Sequence, residues 1–204
     1  MTNKNPSFKY EKFYRNKGFS NIVGLDEVGR GSFAGPLVAA AVILPWKFKI
    51  NGIKDSKMLN PKTRSSLSRY IIDNALDYVI SEVSVDYINS YGIGKATNKA
   101  FLSCLKKLKR KFDFVLVDGY KIRRFDQRKQ TGVIHGDSIS VSIAAASIIA
   151  KVYRDDLMIK LHTKYPNYDF LKNKGYGTKF HRDAIKKFGL SEVHRTSFNL
   201  KKFL

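Results

Sequence analysis

The chain has 204 residues, 43% of them hydrophobic and 13% aromatic, and sets 38 lysines and arginines against 17 acids for a formal net charge of +21. That much apolar material fills one substantial core, and so strong a positive balance serves a polyanion, most often nucleic acid. A single cysteine, Cys104, excludes a disulfide framework or a thiolate metal centre, and no uninterrupted apolar run reaches membrane length. Charge alone names the partner class and not the chemistry, since a structural nucleic-acid binder shows the same balance. With no apolar signal-type segment in its first residues, the chain is expected in the reducing cytoplasm, away from membranes.

Residues 1–20 are basic and aromatic (Phe8, Tyr10, Phe13, Tyr14, Phe19) and read as a short arm packed on one domain spanning 21–204. Ile22 to Leu25 and Pro36 to Pro45 read as two strands around a glycine-rich turn, the connection being short enough to make them antiparallel. Asn60-Pro61 opens a helix to about Asp73 in the manner of an N-cap followed by an N1 proline. Asp77 to Ser84 alternates as a strand, and Val85 to Lys111 is helical with an interruption near Gly92 and Gly94. Phe112 to Val117 is a strand ending at Asp118, and a basic linker leads to a short strand at Thr131 to His135. A long helix rich in small residues covers Ser142 to Lys164. Beyond Tyr165-Pro166 a basic C-terminal part holds Gly175-Tyr176-Gly177-Thr178 and a helix from His181 to Phe188, closed by Gly189. Strands alternating with helices give an α/β fold with a mixed sheet.

The chemistry centres on acids. Asp26 and Glu27 lie at or near the end of a strand whose apolar run is that of a core strand, where a carboxylate needs a cation, a metal or several donors to stay ionised. Successive side chains alternate faces, so the two cannot share one site on an ideal strand. Asp118 and Asp137 occupy similar settings, each beside a glycine. An acidic cap or a lysine ion pair explains any one of them. Together, four carboxylates in a cleft repel one another unless they hold divalent cations, and an all-oxygen set suits magnesium or manganese. Two such ions roughly 4 Å apart can clamp the attacking and leaving oxygens of a phosphodiester. The four histidines, His135, His162, His181 and His194, are dispersed, and none is assigned to metal.

GLDEVGRGSFAGPLVAAAVILP, KDSKMLNPKTR, VLVDGY, GDSISVSIAAASIIAKVYRD, NKGYGTKFHRDAIKKFG and HRTSF follow one another along the chain. In this order they resemble bacterial ribonuclease HII, the type 2 ribonuclease H, over nearly everything from residue 22 to residue 198. The resemblance implies a ribonuclease H-like fold, a five-stranded mixed sheet flanked by helices with a small helical C-terminal part from about residue 165. It implies hydrolysis of RNA in RNA–DNA hybrids and incision 5′ of single ribonucleotides in duplex DNA, leaving 5′-phosphate and 3′-hydroxyl ends, by a monomer using Mn2+ or Mg2+. The family's four catalytic, metal-binding acids fall on Asp26, Glu27, Asp118 and Asp137. Its Gly-Arg-Gly falls on Gly29, Arg30 and Gly31, whose backbone meets the ribose 2′-hydroxyl, and its tyrosine on Tyr176. Read without the family, Tyr176 is an aromatic packed in a loop. Lys57 and Lys151 sit in matching motifs as candidates to contact phosphates or position the acids, a salt-bridge role being equally open. Val28, Ser32 and Met58 depart from the family pattern without removing a ligand, and Ser32 could loosen the Gly-Arg-Gly turn. The related type HIII, with a long N-terminal extension and no Gly-Tyr-Gly-Thr loop, fits less well. A basic binding protein that has lost catalysis, or an enzyme of the same fold acting on DNA alone, are the competing readings. The C-terminal FNLKKFL could dock on a sliding clamp, though a solvated basic tail accounts for it better.

Overall fold

The computed structural model describes residues 5–49, 52–53 and 59–204, so Lys57 and Met58 lie outside the described residues. Helix α1 (Lys9–Arg15) is followed by strands β1 (Ile22–Val28) and β2 (Leu37–Ile43), helix α2 (Pro61–Asn74) and strand β3 (Asp77–Val83). Helices α3 (Val85–Tyr91) and α4 (Ile93–Lys107) lead to strands β4 (Phe114–Asp118) and β5 (Gln130–Val133). The long helix α5 (Val141–Lys164) then passes into a C-terminal part with α6 (Phe170–Asn173) and α7 (Lys179–Phe188). Sheet order is β3-β2-β1-β4-β5: β1 is antiparallel to β2 and parallel to β4, so the sheet is five-stranded and mixed as expected.

Strand alternation divides the core. Val23, Leu25, Ala39, Ala41, Val115 and Val117 meet α3 and α4 on one face, while Val38, Ala40 and Val42 meet α2 and α5 on the other. α2 starts where its cap residues direct, Asn60 accepting from the Thr63 N–H at 2.9 Å with Pro61 behind it. α4 stops at Lys107, short of the basic run expected to continue it, because the Asp77 carboxylate takes the N–H groups of Lys109 and Arg110 at 2.7 and 2.8 Å. The N-terminal arm is integral. Tyr14 stacks on Phe114 with centroids 3.8 Å apart, and buried Glu11 accepts from Ser140 Oγ and Ser142 N–H at 2.7 and 2.9 Å. A carboxylate there also complements the positive end of α5. The C-terminal segment is not a solvated tail: Leu200 is buried and Phe203 packs on Phe33, ring centroids 5.6 Å apart.

α5 can lie directly on the central strand because β1 carries Gly24 where the helix begins. A Cβ at Gly24 would stand 2.1 Å from the carbonyl carbon of Ser142 and 2.2 Å from its oxygen, main-chain atoms that cannot step aside. Gly24→Ala is therefore expected to destabilise the fold by roughly 1–3 kcal/mol or more, the cost of overpacking a core. Guanidinium unfolding checks it; a midpoint equal to that of the parent would show that α5 docks more loosely than described.

Candidate active site

The carboxylates gather where β1 and β4 end side by side. Their parallel register pairs Leu25 with Val117, so Asp26 and Asp118 are the next residues along on neighbouring strands. Asp26 follows Gly24 onto the α5 face, where Ser147 of that helix donates to it, and its Oδ1 accepts the Glu27 N–H at 2.7 Å. Glu27 follows Leu25 to the other face and lines a cleft there with Asp118, its Oε1 standing 3.8 Å from Arg30 Nη1. Asp118 Oδ1 accepts the Gly136 N–H at 2.7 Å, which draws the short 3-10 turn at Gly136–Ser138, with buried Asp137, up to the strand end. Burial first, then the charges of Glu27, Asp118 and Asp137, push the Asp26 carboxyl well above the usual carboxylate range. Four acids thus share one electrostatic neighbourhood although β1 sends two of them to opposite faces. Among the described residues no three Asp, Glu, His or Cys side chains stand close enough to cage an ion as placed. The donor set still fits one: it is all oxygen, and bound positive charge would relieve the repulsion on Asp26.

Beside the acids, the turn from Gly29 to Pro36 rests on two fully buried arginines. Arg154, from α5, donates to the carbonyls of Pro36, Lys174 and Ala34 at 3.0, 2.8 and 3.1 Å. Arg195 donates to Gly35 from Nε and Nη2 at 3.0 and 2.8 Å, and to the Arg30 carbonyl at 3.0 Å. Gly29 has φ +86°, which favours glycine, and a Cβ there would lie 2.1 Å from Arg154 Nε. Gly31 differs: its φ is outside the left-handed region and a Cβ would meet none of the described residues within 4 Å. The Tyr176 loop joins this turn through the Gly175 carbonyl, which accepts from Phe33 and Ala34 N–H at 2.8 and 3.2 Å. Tyr176 is half-buried with Arg154 5.5 Å from its ring centroid. Ser32 is buried and its hydroxyl has no partner among the described residues, yet the carbonyls of Arg30, Ala34 and Gly35 around it are all taken by the arginines, so the turn is held. Lys151 pairs with Asp155 at 2.5 Å, and Arg64 reaches the same carboxylate at 3.4 Å. From Glu27 and Asp118 the cleft, about 1140 Å³, runs along α4 between Lys95, Lys99 and Lys106 on one side and Lys121 and Arg123 on the other.

The family whose model matches residues 23–201 is ribonuclease HII. The chain belongs to the ribonuclease HII family. It is 47% identical over 189 residues to the ribonuclease HII of Ruminiclostridium cellulolyticum, covering 93% of this chain and 74% of that one. It is 45% identical over 193 residues to that of Caldicellulosiruptor bescii, covering 94% and 92%. Among solved structures, the ribonuclease H2 of Pyrococcus horikoshii OT3 superposes with a TM-score of 0.74 at 26% identity, over 90% of this chain and 97% of the other. The ribonuclease HII solved with PCNA from Archaeoglobus fulgidus gives 0.72 at 25% identity, over 88% and 96%. The chain is thus a ribonuclease H, a hydrolase acting on RNA paired with DNA, with the ribonuclease H-like fold.

Sequence reading missed the two buried arginines, Ser147, and a histidine pair. His181 and His194, dispersed in sequence, meet with their Nε2 atoms 3.1 Å apart, both rings buried under the Tyr176 loop. Burial, with a smaller contribution from His181, lowers His194 to about 4. A depressed histidine pKa means that the unfolded chain takes up protons first as pH falls. The contribution of neutral His194 to stability is full above about pH 6.5 and is lost as pH falls toward 4, at a slope of at most about 1.4 kcal/mol per pH unit. The stability difference between the parent and His194→Asn, measured by denaturant unfolding, should shrink across that window. A difference independent of pH would place the imidazole in water.

Proposed function

We propose that this ribonuclease H cuts the RNA strand of RNA–DNA hybrids and also incises 5′ of single ribonucleotides embedded in duplex DNA, leaving 5′-phosphate and 3′-hydroxyl ends. In the cytoplasm this would remove primers and misplaced ribonucleotides. The observation that carries the reading is the placement of Gly31 and Tyr176 on two hydrogen-bonded segments beside the acids. Among the described residues, neither packing nor a left-handed φ demands glycine at position 31. A missing side chain there leaves the backbone open to a ribose 2′-hydroxyl, the group that distinguishes RNA from DNA. Tyr176 would lie against the neighbouring sugar, and Gly29 and Arg30 would complete the contact.

Asp26, Glu27, Asp118 and Asp137 would hold two divalent ions, Mg2+ or Mn2+. When bound, such ions supply Lewis acidity for in-line phosphodiester hydrolysis. The protein's own contribution is placement. Ser147 and the Glu27 N–H orient the Asp26 carboxylate, and the Gly136 N–H orients Asp118. The lysines and arginines of the cleft along α4 would track the phosphate backbone, so binding should fall steeply with salt. Lys151 serves best as the ion-pair partner of Asp155. Lys57 keeps the phosphate role that the resemblance implies.

The deciding experiment is incision of a labelled DNA duplex with one embedded ribonucleotide, in magnesium, manganese and chelator. A metal-dependent cut 5′ of the ribonucleotide, with all-DNA duplex untouched, is the expected result. A duplex that binds but is never cut would turn the chain into a silent binder, and cleavage of all-DNA would remove the 2′-hydroxyl from the account. Asp118→Asn keeps the acceptor for Gly136 while removing one repelling charge. It should abolish cutting, retain duplex binding and raise stability in chelator by roughly 0.5–2 kcal/mol. Gly31→Ala should leave stability unchanged and lower incision on the order of 10²-fold, as a misplaced reacting group does; full activity would show that nothing approaches that backbone closely.

A further inference from the structure

His181 and His194 form a hydrogen-bonded chain whose direction is fixed from both ends. At one end the Ser191 N–H points at His194 Nδ1 from 2.9 Å, with Ser191 Oγ at 2.8 Å. A backbone N–H can only donate, so Nδ1 is the acceptor and the proton of neutral His194 sits on Nε2. At the other end His181 Nδ1 lies 2.9 Å from the Tyr176 carbonyl, which can only accept, so the proton of His181 sits on Nδ1. The two assignments are independent and agree at the middle: His194 Nε2–H donates to His181 Nε2 across 3.1 Å. A second proton on either ring would set two N–H groups head to head or push one against the Ser191 N–H. Tyr168 and Phe170 surround the pair with apolar ring faces and edges, the Tyr168 ring 4.7 Å from His194 and the Phe170 ring 5.4 Å from His181. The residue after His194 is Arg195, whose guanidinium holds the Arg30 and Gly35 carbonyls.

We propose that His181 and His194 are positioning residues for ribonucleotide recognition. An ordered, neutral imidazole pair fixes the Tyr176 carbonyl while the adjacent Arg195 fixes the turn carrying Arg30, so one short segment, Ser191 to Arg195, sets the gap between the two sides of the 2′-hydroxyl site. This assignment rests on the reading of Gly29–Gly31 and Tyr176 given above. It makes the histidines part of substrate selection although neither touches substrate.

Two measurements test it, the first without reference to activity. Nitrogen-15 histidine NMR of the full chain at neutral pH should show His194 protonated at Nε2 and His181 at Nδ1, both neutral. The same tautomer on both rings, or a charged ring, overturns the relay. The second uses His181→Phe, which keeps ring bulk in the apolar cluster and removes both hydrogen bonds, and His181→Asn, whose amide restores a donor where Nδ1–H stood. The Phe variant should lose roughly tenfold in the rate of single-ribonucleotide incision while duplex affinity stays within about twofold, and the Asn variant should recover part of the loss. In a Tyr176→Ala background, His181→Phe should cost nothing more, because both act through one contact. Losses that multiply would show that His181 acts elsewhere and would overturn the proposal. Should Tyr176→Ala alone leave incision intact, the assignment of Tyr176 fails, while the tautomers still decide whether the relay exists. Should His181→Phe not fold, the Asn variant and the spectrum carry the test.

Discussion

A carboxylate in the middle of a buried sheet is the constraint from which the rest follows. Asp26 sits on β1, flanked by β2 and β4, in a strand whose preceding residues are completely enclosed. Such a position penalises charge, and three further acids nearby add to the penalty. The surrounding architecture brings in help at close range. Gly24 lets α5 begin against the strand, its first turns are built from small residues, and Ser147 consequently reaches Asp26. A chain carrying a net charge of +21 nevertheless concentrates several of its few acids at one point. Under the proposed function a bound cation would offset that penalty, which would separate a metal site from a structural acid cluster.

The turn beside the acids faces the opposite problem, and solves it with carbonyls. Two fully buried guanidiniums would ordinarily call for carboxylate partners, yet Arg154 and Arg195 direct their donors to main-chain oxygens of the turn and of the Tyr176 loop. Burial lowers both, Arg195 to about 9, and a guanidinium keeps its proton in proteins. A carbonyl dipole accepts the hydrogen bond without cancelling the charge. Positive potential therefore survives beside the acids, while the bonds themselves fix five carbonyls in the two segments that would, under the proposed function, read the sugar.

Much of the fold was legible because its signals are local. Periodicity placed the strands, Asn60-Pro61 marked the start of α2, and glycine-flanked acids at strand ends marked the site. What escaped reading depends on long-range contacts. Arg154 looks like one more cation on a polar helix face until the turn folds over it, and His181 and His194 look dispersed until α7 brings them together. The end of α4 was misplaced because its terminator, Asp77, lies 32 residues from the Lys109 N–H that it accepts. The opposite orientation of Asp26 and Glu27 on β1 did follow from strand geometry, but only the register of β1 with β4 shows how Asp118 joins them.

Glycine shows the limit of motif reading most clearly. Gly24, Gly29 and Gly31 fall within eight residues and look equivalent in sequence. Gly24 is demanded by helix packing, and Gly29 by its φ and by Arg154. Among the described residues nothing demands Gly31. A residue type that the fold does not require, next to a turn that the fold holds with two buried arginines, points outward to what must lie against it. The histidine pair then has a physical purpose. Discrimination by one hydroxyl needs the two contacting segments held to within a fraction of an ångström, and a chain of directed hydrogen bonds through rigid rings gives less than a flexible side chain would. Because the pair stays neutral, it does so without adding to the charge that Arg154 and Arg195 already place there.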